Sequence, residues 1–206
     1  QRVTDCNPAS SPERTTQGGP YRIFRSFCQE HGDESGGLIS TRMVKNNVVR
    51  RCAVLLPAFA VAMGRDAGQP LSLVEIGASA GLNLLWDRYS YTYSDAQRWG
   101  DPDHPVQLSS IIRGDLRPPL PDSIPKVVFR VGLDLSPVDI SVPDAVDWLR
   151  ALVWPERVDE AQMLEDALEM AKDDPPRLLA GDALELLPEV LESIPLDSTL
   201  CLYHSN

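Results

Sequence analysis

The segment Leu71–Asn83, Leu-Ser-Leu-Val-Glu-Ile-Gly-Ala-Ser-Ala-Gly-Leu-Asn, constrains the fold more than any other part of the chain. Its first six residues are mostly apolar and rich in β-formers, which is typical of a central strand in a parallel sheet. Gly77 permits backbone angles that side chains disfavour, and Gly81 lets the following helix approach the strand closely. The segment predicts a buried strand, a tight turn and a helix start, with Glu75 near the strand end where open α/β sheets bind ligands.

The glycine spacing indicates which kind of ligand this turn suits. A dinucleotide fingerprint has the pattern G-x-G-x-x-G, because its second glycine lets the backbone approach a pyrophosphate. Here the pattern is Glu75-x-Gly77-x-x-x-Gly81, and Ser79 takes the middle place. A cofactor without phosphates, such as S-adenosylmethionine (SAM), fits better, with its carboxylate near the helix amino end. The alternative is a strand–turn–helix without a ligand, since isolated glycine motifs are weak signals.

Composition narrows the class of protein. A length of 206 residues suits one domain with a substantial core. Residues 1–70 carry nine basic and six acidic side chains, whereas residues 71–206 carry ten basic and 24 acidic ones. An acidic body without a basic stripe argues against a nucleic-acid partner. No apolar run approaches the roughly 18 residues of a membrane helix, and we see no secretory signal, so we expect a cytoplasmic protein. The sequence leaves the oligomeric state open.

The metal-ligating and thiol side chains are scattered. Cys6, Cys28, Cys52 and Cys201 form no C-x-x-C pair, which indicates neither a zinc site nor a disulfide framework. The three histidines and the acidic residues lack ligand spacing, so no metal site is predicted. Because Cys28, Cys52 and Cys201 lie in apolar patterns, we expect them to be buried and reduced.

The amino-terminal part is predicted to be helical. Residues 1–19 resemble a flexible arm, and residues 20–206 form one domain whose first part, 20–66, is helical. Apolar spacing predicts a helix over Tyr21–His31 and a loop over Asp33–Gly37. A second helix is predicted from Ser40 or Thr41, with a break or kink at Pro57, which lacks an N–H.

Residues 71–206 alternate between strand and helix patterns, apart from an insertion over 86–125. Within the insertion, Tyr89–Tyr93 alternates aromatic and polar residues and predicts a strand, as does Val106–Ile112. Packing of the tyrosines is favoured over substrate contact. Further strands are predicted over Val127–Ser136, Arg177–Asp182 and Ser198–Tyr203, and helices over Leu82–Arg88, Asp144–Leu152, Arg157–Ala171 and Ala183–Ser193.

Asp134 lies at the tip of the second main strand. A carboxylate there can accept hydrogen bonds from both hydroxyls of a ribose. The alternative for Asp134 is a local turn cap beside Ser136 and Pro137.

Three motifs agree with one another: Glu75-x-Gly77-x-x-x-Gly81, Gly132-Leu-Asp134 and Gly181-Asp182-Ala183. Together they resemble the nucleotide half of a class I SAM-dependent methyltransferase. More closely, residues 40–206 resemble the domain-of-unknown-function 2332 family, whose members carry a methyltransferase-like fold. One segment that carries this resemblance is the glycine turn, Glu75–Leu84. The others are Asn47-Val-Val-Arg-Arg51, Leu55-Leu-Pro-Ala58, Asp87-Arg-Tyr89, Gly100-Asp-Pro102, Val153-Trp-Pro155, Gly181-Asp-Ala183 and Tyr203-His-Ser205.

The resemblance implies a SAM pocket with assigned positions. Glu75 would lie under the methionine end, with the turn Gly77, Ala78, Ser79 and Gly81 and the neighbouring Asn83 lining the pocket. Asp134 and Leu135 would hold the ribose end of the cofactor. Asp182 and the N–H of Ala183 would hold the adenine. Asn47, Arg51, Tyr89 and Tyr203 would border the pocket, and His204 could act as general base, since its unperturbed pKa is near 6.5. A plain strand-end role for His204 is the alternative.

The implied fold is α/β: a Rossmann-like, mostly parallel open sheet of the class I methyltransferase type, with amino-terminal helices. The expected strand order is 3-2-1-4. Such sheets have about seven strands and this chain supplies four, so the fourth would be an unpaired apolar edge, and we expect a truncated chain.

The predicted function is that of a SAM-dependent methyltransferase-like protein acting on a small-molecule or unknown acceptor. Methyl transfer would mainly require positioning of the acceptor, with a base where a proton must leave. One alternative is a SAM-binding module without catalysis. The other is a nicotinamide-dependent oxidoreductase, against which the missing middle glycine argues.

Overall fold

A computed structural model describes residues 20–45, 47–64, 68–94 and 97–205 of the chain. The arm predicted over residues 1–19 lies outside this described part. By its internal contacts the chain divides into two units, Gln1–Val44 and Lys45–Asn206.

The first unit contains the helices α1 (Pro20–Glu30) and α2 (Gly32–Thr41). The helix predicted over Tyr21–His31 is therefore confirmed, but the loop predicted over Asp33–Gly37 is wrong, because these residues are helical. Asp33 and Glu34 lie in the first turn of α2, where negative charge is favoured by the helix dipole and offsets the low propensity of the glycines that follow. Cys28 is exposed, against the prediction that it is buried.

The second unit holds all the strands and the remaining helices. The strands are β1 (Leu71–Ile76), β2 (Ser90–Tyr93), β3 (Gln97–Trp99), β4 (Gln107–Ser110), β5 (Val127–Asp134), β6 (Arg177–Ala180) and β7 (Thr199–His204). The α-helices are α3 (Cys52–Met63), α4 (Pro143–Ala151), α5 (Val158–Asp173) and α6 (Ala183–Glu192), and short 3₁₀ helices span Val49–Arg51 and Leu82–Arg88.

The main sheet has four strands in the order β6-β5-β1-β7. All three of its strand pairs are parallel. The order corresponds to the predicted 3-2-1-4, and the α/β class with a mostly parallel sheet is confirmed. Parallel neighbours need crossover connections, which the helices between these strands provide.

The two faces of this sheet pack against different helices, because side chains alternate along a strand. Leu71 and Leu73 of β1 join a large core formed with α3, α4, α5 and the insertion. Val74 points the other way and packs in a smaller core with α6. β1 is buried on both faces, which fits its mostly apolar sequence, and its two polar residues, Ser72 and Glu75, are buried as well.

Helix α3 begins at Cys52 rather than near Ser40 or Thr41, and it continues through Pro57 without the predicted break. A proline at position 57 leaves the carbonyl of Ala53 without its usual helical donor. The buried hydroxyl of Tyr93 donates to that oxygen at 2.6 Å. Tyr93, 40 residues further along the chain, thus supplies the hydrogen bond that the Ala53 carbonyl cannot receive from Pro57.

The insertion forms a second, three-stranded sheet in the order β3-β2-β4. β2 pairs with β3 antiparallel and with β4 parallel. The strands predicted at Tyr89–Tyr93 and Val106–Ile112 are confirmed with shorter bounds, whereas β3 was not predicted. The hydroxyls of Tyr89 and Tyr91 donate to the carbonyls of Leu82 and Trp86, at 2.7 and 2.6 Å, and so tie β2 and the residue before it to the 3₁₀ helix Leu82–Arg88.

β7 forms one side of the main sheet. Within the described residues it pairs only with β1, and Leu200 and Leu202 are 40% and 45% exposed.

None of the described helices combines the length and the apolar character that crossing a bilayer requires.

Candidate functional site

The candidate site lies at the carboxyl edge of the main sheet, around the end of β1. The chain proceeds from β1 to β5 and β6 on one side and then returns to place β7 on the other side of β1. Such a reversal of strand order opens a crevice above the strand ends, where open α/β sheets bind their ligands. The ends of β1, β5 and β7 supply Glu75, Asp134 and the segment from Tyr203 to Ser205.

The turn after β1 has three residues in the left-handed region. The φ angles are 75° at Gly77, 54° at Ser79 and 73° at Gly81. Ser79 is the only non-glycine residue with a positive φ among the described residues. A positive φ is unfavourable for a residue with a side chain, and it persists where contacts with the surrounding structure offset its energetic cost.

Several peptide N–H groups of this turn bond within the chain. Gly77 donates to the Leu133 carbonyl at 2.8 Å, and Gly81 donates to the Ala78 carbonyl at 2.7 Å. Ser79 donates to Oδ2 of Asp134 at 2.9 Å. A pyrophosphate cradle requires free N–H groups aimed at the ligand, and these three are occupied.

Gly132 of β5 allows the turn to lie directly on the sheet. A Cβ atom at Gly132 would be 2.5 Å from Cβ of Ala78 and 2.6 Å from Cδ2 of Leu178. The absence of a side chain at this position is therefore a packing requirement of the site, and Gly132 is paired in register with Glu75.

Asp134 is the centre of a polar network above β5. Its Oδ1 accepts a hydrogen bond from Nζ of Lys45 and another from the N–H of Ser136 at 2.8 Å. Nζ of Lys45 also donates to the Ser136 carbonyl. Burial alone would raise the pKa of Asp134, but the bonds from Lys45, Ser136 and Ser79 outweigh it and hold the pKa below its ordinary 3.8.

Asn47 extends this network over the turn. Its Nδ2 donates to Oγ of Ser79 at 2.6 Å. The segment that precedes α3 thus contacts the glycine turn through Asn47.

Glu75 belongs to a second network that joins β1 to the end of β7. Oγ of Ser205 donates to Oε1 of Glu75 at 2.7 Å, and Nδ2 of Asn83 donates to Oγ of Ser205 at 3.0 Å. Sγ of Cys52 donates in turn to Oδ1 of Asn83 at 3.3 Å. Oε2 of Glu75 is buried and has no hydrogen-bond partner among the described residues.

Burial dominates the ionisation of Glu75. The side chain is 1% exposed, and burial raises its pKa from 4.5 to about 7. The hydrogen bond from Ser205 and the positive charge of Arg51 oppose this rise, while the charge of Asp134 adds to it. Glu75 is therefore a carboxyl group that changes protonation near neutral pH.

Other predicted residues lie around these networks. Tyr203 is paired in register with Glu75, its ring packs edge-on against Phe59, and its buried hydroxyl has no partner within the described part. His204 is exposed at the end of β7, beside Ser205. Arg51 is half-buried in the 3₁₀ helix before α3.

The end of β6 adjoins the Asp134 network. The N–H of Gly181 donates to the Asp134 carbonyl at 3.0 Å. Oδ1 of Asp182 caps α6 by accepting from the N–H of Leu184 at 2.8 Å, and Ala183 begins that helix. Leu135 and Leu184 are large apolar side chains that are 71% and 83% exposed in this region.

Tyr89 does not join the site. It is fully buried in the large core, and its hydroxyl bonds the carbonyl of Leu82. Conversely, Lys45 was not predicted, because no spacing connects it to a partner 89 positions later in the chain. Ser205 lies within the predicted terminal segment, but its bond to Glu75 has no sequence signal. Among the described residues, no three or more His, Cys, Asp or Glu side chains lie together in a way that could hold a metal ion.

A family model described as "Uncharacterized protein conserved in bacteria (DUF2332)" matches residues 5–206. The chain belongs to this family. Searches of curated proteins and of solved structures returned no match. The description of the DUF2332 family specifies no activity, so the function is argued from the site.

The structure gives physical roles to one of the segments that carried the family resemblance, Asp87-Arg-Tyr89. The carboxylate of Asp87 binds the guanidinium of Arg130 through two hydrogen bonds of 2.9 and 3.1 Å, and this ties the 3₁₀ helix to β5. Arg88 pairs with Asp174. In the DUF2332 chain this segment therefore fixes the helix that follows the glycine turn.

Proposed function

We propose that the carboxyl edge of the main sheet binds SAM and that the protein is a SAM-dependent methyltransferase-like protein. The observation that carries the proposal is the placement of two carboxyl groups, the buried Glu75 and the partly buried Asp134, at the ends of adjacent parallel strands beside the left-handed turn. This is the edge at which ligands bind open α/β sheets, next to the reversal of strand order.

The occupied N–H groups of the turn favour SAM over a dinucleotide. Gly77, Ser79 and Gly81 already donate within the chain, so they offer nothing to a pyrophosphate. SAM has no phosphate, and its adenosine and methionine parts can be recognised by carboxylates and apolar contacts. The same observation argues against the nicotinamide-dependent alternative.

Each part of SAM has residues of suitable chemistry. Oε2 of Glu75, buried without a partner among the described residues, suits the ammonium of the methionine end. Asp134 suits the two ribose hydroxyls. The exposed Leu135 and Leu184 offer apolar surface to the adenine, beside Asp182 and the N–H of Ala183.

When bound, SAM supplies an electrophilic methyl group on its sulfonium for in-line displacement by an acceptor. The chain would mainly position the acceptor next to that centre and exclude water from it. His204, exposed at the end of β7, would take the proton from an acceptor that must lose one. The acceptor, a small molecule or another substrate, is not specified by these residues.

Thermal unfolding in the presence of candidate ligands tests this proposal. SAM and S-adenosylhomocysteine at 100 times their dissociation constants should each stabilise the folded chain by about 2.7 kcal/mol, while NAD should leave the melting temperature unchanged. Stabilisation by NAD and not by SAM would overturn the proposal. Binding of SAM without methyl transfer to any acceptor tried would favour the non-catalytic module.

A further inference from the structure

Lys45 pairs with the carboxylate to which the proposed function assigns a ribose. Its ammonium contacts both Oδ1 of Asp134 and the carbonyl of Ser136. The side chains of Lys45 and Asp134 are only 13% and 9% exposed, so the pair is largely withdrawn from water. Partners in such an environment hold each other more strongly than surface ions do.

The carboxylate of Asp134 has little capacity left for a ligand. Oδ1 accepts from Lys45 and from the N–H of Ser136, and Oδ2 accepts from the N–H of Ser79. Each carboxylate oxygen accepts about two hydrogen bonds. One position therefore remains, whereas a ribose that binds through both hydroxyls needs two.

Of these three donors, only Lys45 can leave without unfolding the site. The N–H of Ser79 belongs to the buried left-handed turn, and that of Ser136 belongs to the turn that follows β5. Lys45 reaches Asp134 on a flexible four-carbon side chain that changes conformation at low cost. Its neighbour Asn47 holds the same segment against Oγ of Ser79.

We propose that Lys45 is a displaceable occupant of the ribose position and that a ribose diol binds only after its ammonium has left Asp134. The inference rests on the proposed function, since it concerns how the same site admits its ligand. Lys45 thereby lowers the affinity of the site for every ligand that carries the diol. Because the two contacts exclude each other, ligand binding in turn exposes the Lys45 amine.

Amine acylation read by mass spectrometry tests the displacement directly. The chain contains three lysines, and Lys126 and Lys172 are exposed, so they serve as internal controls. In the free protein, acetylation of Lys45 should be slow relative to the other two. Saturating SAM or adenosine should accelerate it several-fold and leave Lys126 and Lys172 unchanged. Dideoxyadenosine, which lacks the diol, should not accelerate it.

A calorimetric comparison of variants provides the second measurement. If the ammonium occupies Asp134 in nine of ten molecules or more, Lys45→Met should bind SAM at least about tenfold more tightly than the wild type. Lys126→Met, at an exposed lysine outside the site, should bind as the wild type does.

The possible results separate the displacement from the function itself. Faster acetylation of Lys45 with SAM, together with tighter binding by Lys45→Met, supports the displacement. If wild type binds SAM while Lys45 stays protected, or if Lys45→Met binds no more tightly, the displacement is wrong and the SAM site stands. If neither the wild type nor Lys45→Met binds SAM or adenosine, both proposals fail.

Discussion

Ser205 donates a hydrogen bond to Oε1 of Glu75 at 2.7 Å, and this bond joins the end of β7 to β1 at the point where the strand order reverses. One oxygen of the carboxyl group is thus satisfied within the chain, and the other has no partner within the described residues. The protonation of Glu75 should therefore affect both the stability of the fold and the ligands that the site accepts.

Glu75→Gln should remove the dependence of stability on pH that Glu75 contributes. The pKa of Glu75 is raised from 4.5 in the unfolded chain to about 7 in the folded protein, so the folded protein holds the proton more tightly. The stabilisation that this protonated carboxyl contributes is complete below pH 4.5 and is lost as the pH rises to about 7. This shift corresponds to about 3 kcal/mol. Urea titrations give the free energy of unfolding of each protein. The difference, Glu75→Gln minus wild type, should increase by this amount between pH 4.5 and 8.

Two variants control this experiment. Asp134→Asn should differ from the wild type by a constant amount between pH 4.5 and 8 and should show a change of opposite sign below pH 3.8, because the lowered pKa of Asp134 stabilises the fold above pH 3.8 and this stabilisation is lost on further acidification. Glu189→Gln, on the exposed side of α6, should follow the wild type. A difference between Glu75→Gln and the wild type that does not vary with pH would show that Glu75 ionises normally in the folded protein.

Tyr93→Phe should destabilise the chain by about 1–2 kcal/mol, because it leaves the buried carbonyl of Ala53 without a donor. In a Pro57→Ala background the restored N–H of residue 57 can donate to that oxygen, so the same substitution should cost less than half as much. Urea unfolding of the four chains in this double-mutant cycle measures the coupling.

The matched control is Tyr91→Phe, whose hydroxyl bonds the Trp86 carbonyl instead. Its cost should be equal in both backgrounds. An equal cost of Tyr93→Phe with and without Pro57 would mean that the hydroxyl does not compensate for the proline.

Gly132→Ala should destabilise the fold by about 1–3 kcal/mol, since its Cβ would overlap Ala78 and Leu178. Adding Ala78→Gly should recover part of the loss, because it removes the closer of the two atoms. Gly64→Ala, whose Cβ would lie no closer than 3.4 Å to its nearest neighbour, is the control and should be tolerated. Thermal unfolding of these variants suffices, and a stable Gly132→Ala would show that the turn does not lie as close to β5 as described.

The sequence predicted the parts of the fold that local pattern determines. The apolar run of β1, the acid at the end of β5 and the alternation of the Tyr89–Tyr93 strand are all present, because periodicity and turn residues act over a few positions. The strand order followed from the family resemblance together with the general topology of such sheets. Membership of the DUF2332 family is confirmed by the match over residues 5–206.

Several of the failures concern contacts that connect distant parts of the chain. The break at Pro57 was expected because nothing near the proline shows that Tyr93 will satisfy Ala53. The role of Lys45 depends on Asp134, and that of Ser205 on Glu75, 89 and 130 positions away respectively. Single residues of common types carry no spacing signal, so the network that surrounds the two acids required the structure.

Calorimetric titration of SAM into the wild-type chain, Asp134→Ala and Asp197→Ala is the most direct test of the proposed site. Asp197 is an exposed aspartate just before β7, at the opposite end of the sheet. We predict saturable binding of SAM by the wild type and by Asp197→Ala, and no measurable binding by Asp134→Ala. Absence of binding by a folded wild-type chain, or equal binding by all three proteins, would contradict a SAM site at the carboxyl ends of β1 and β5.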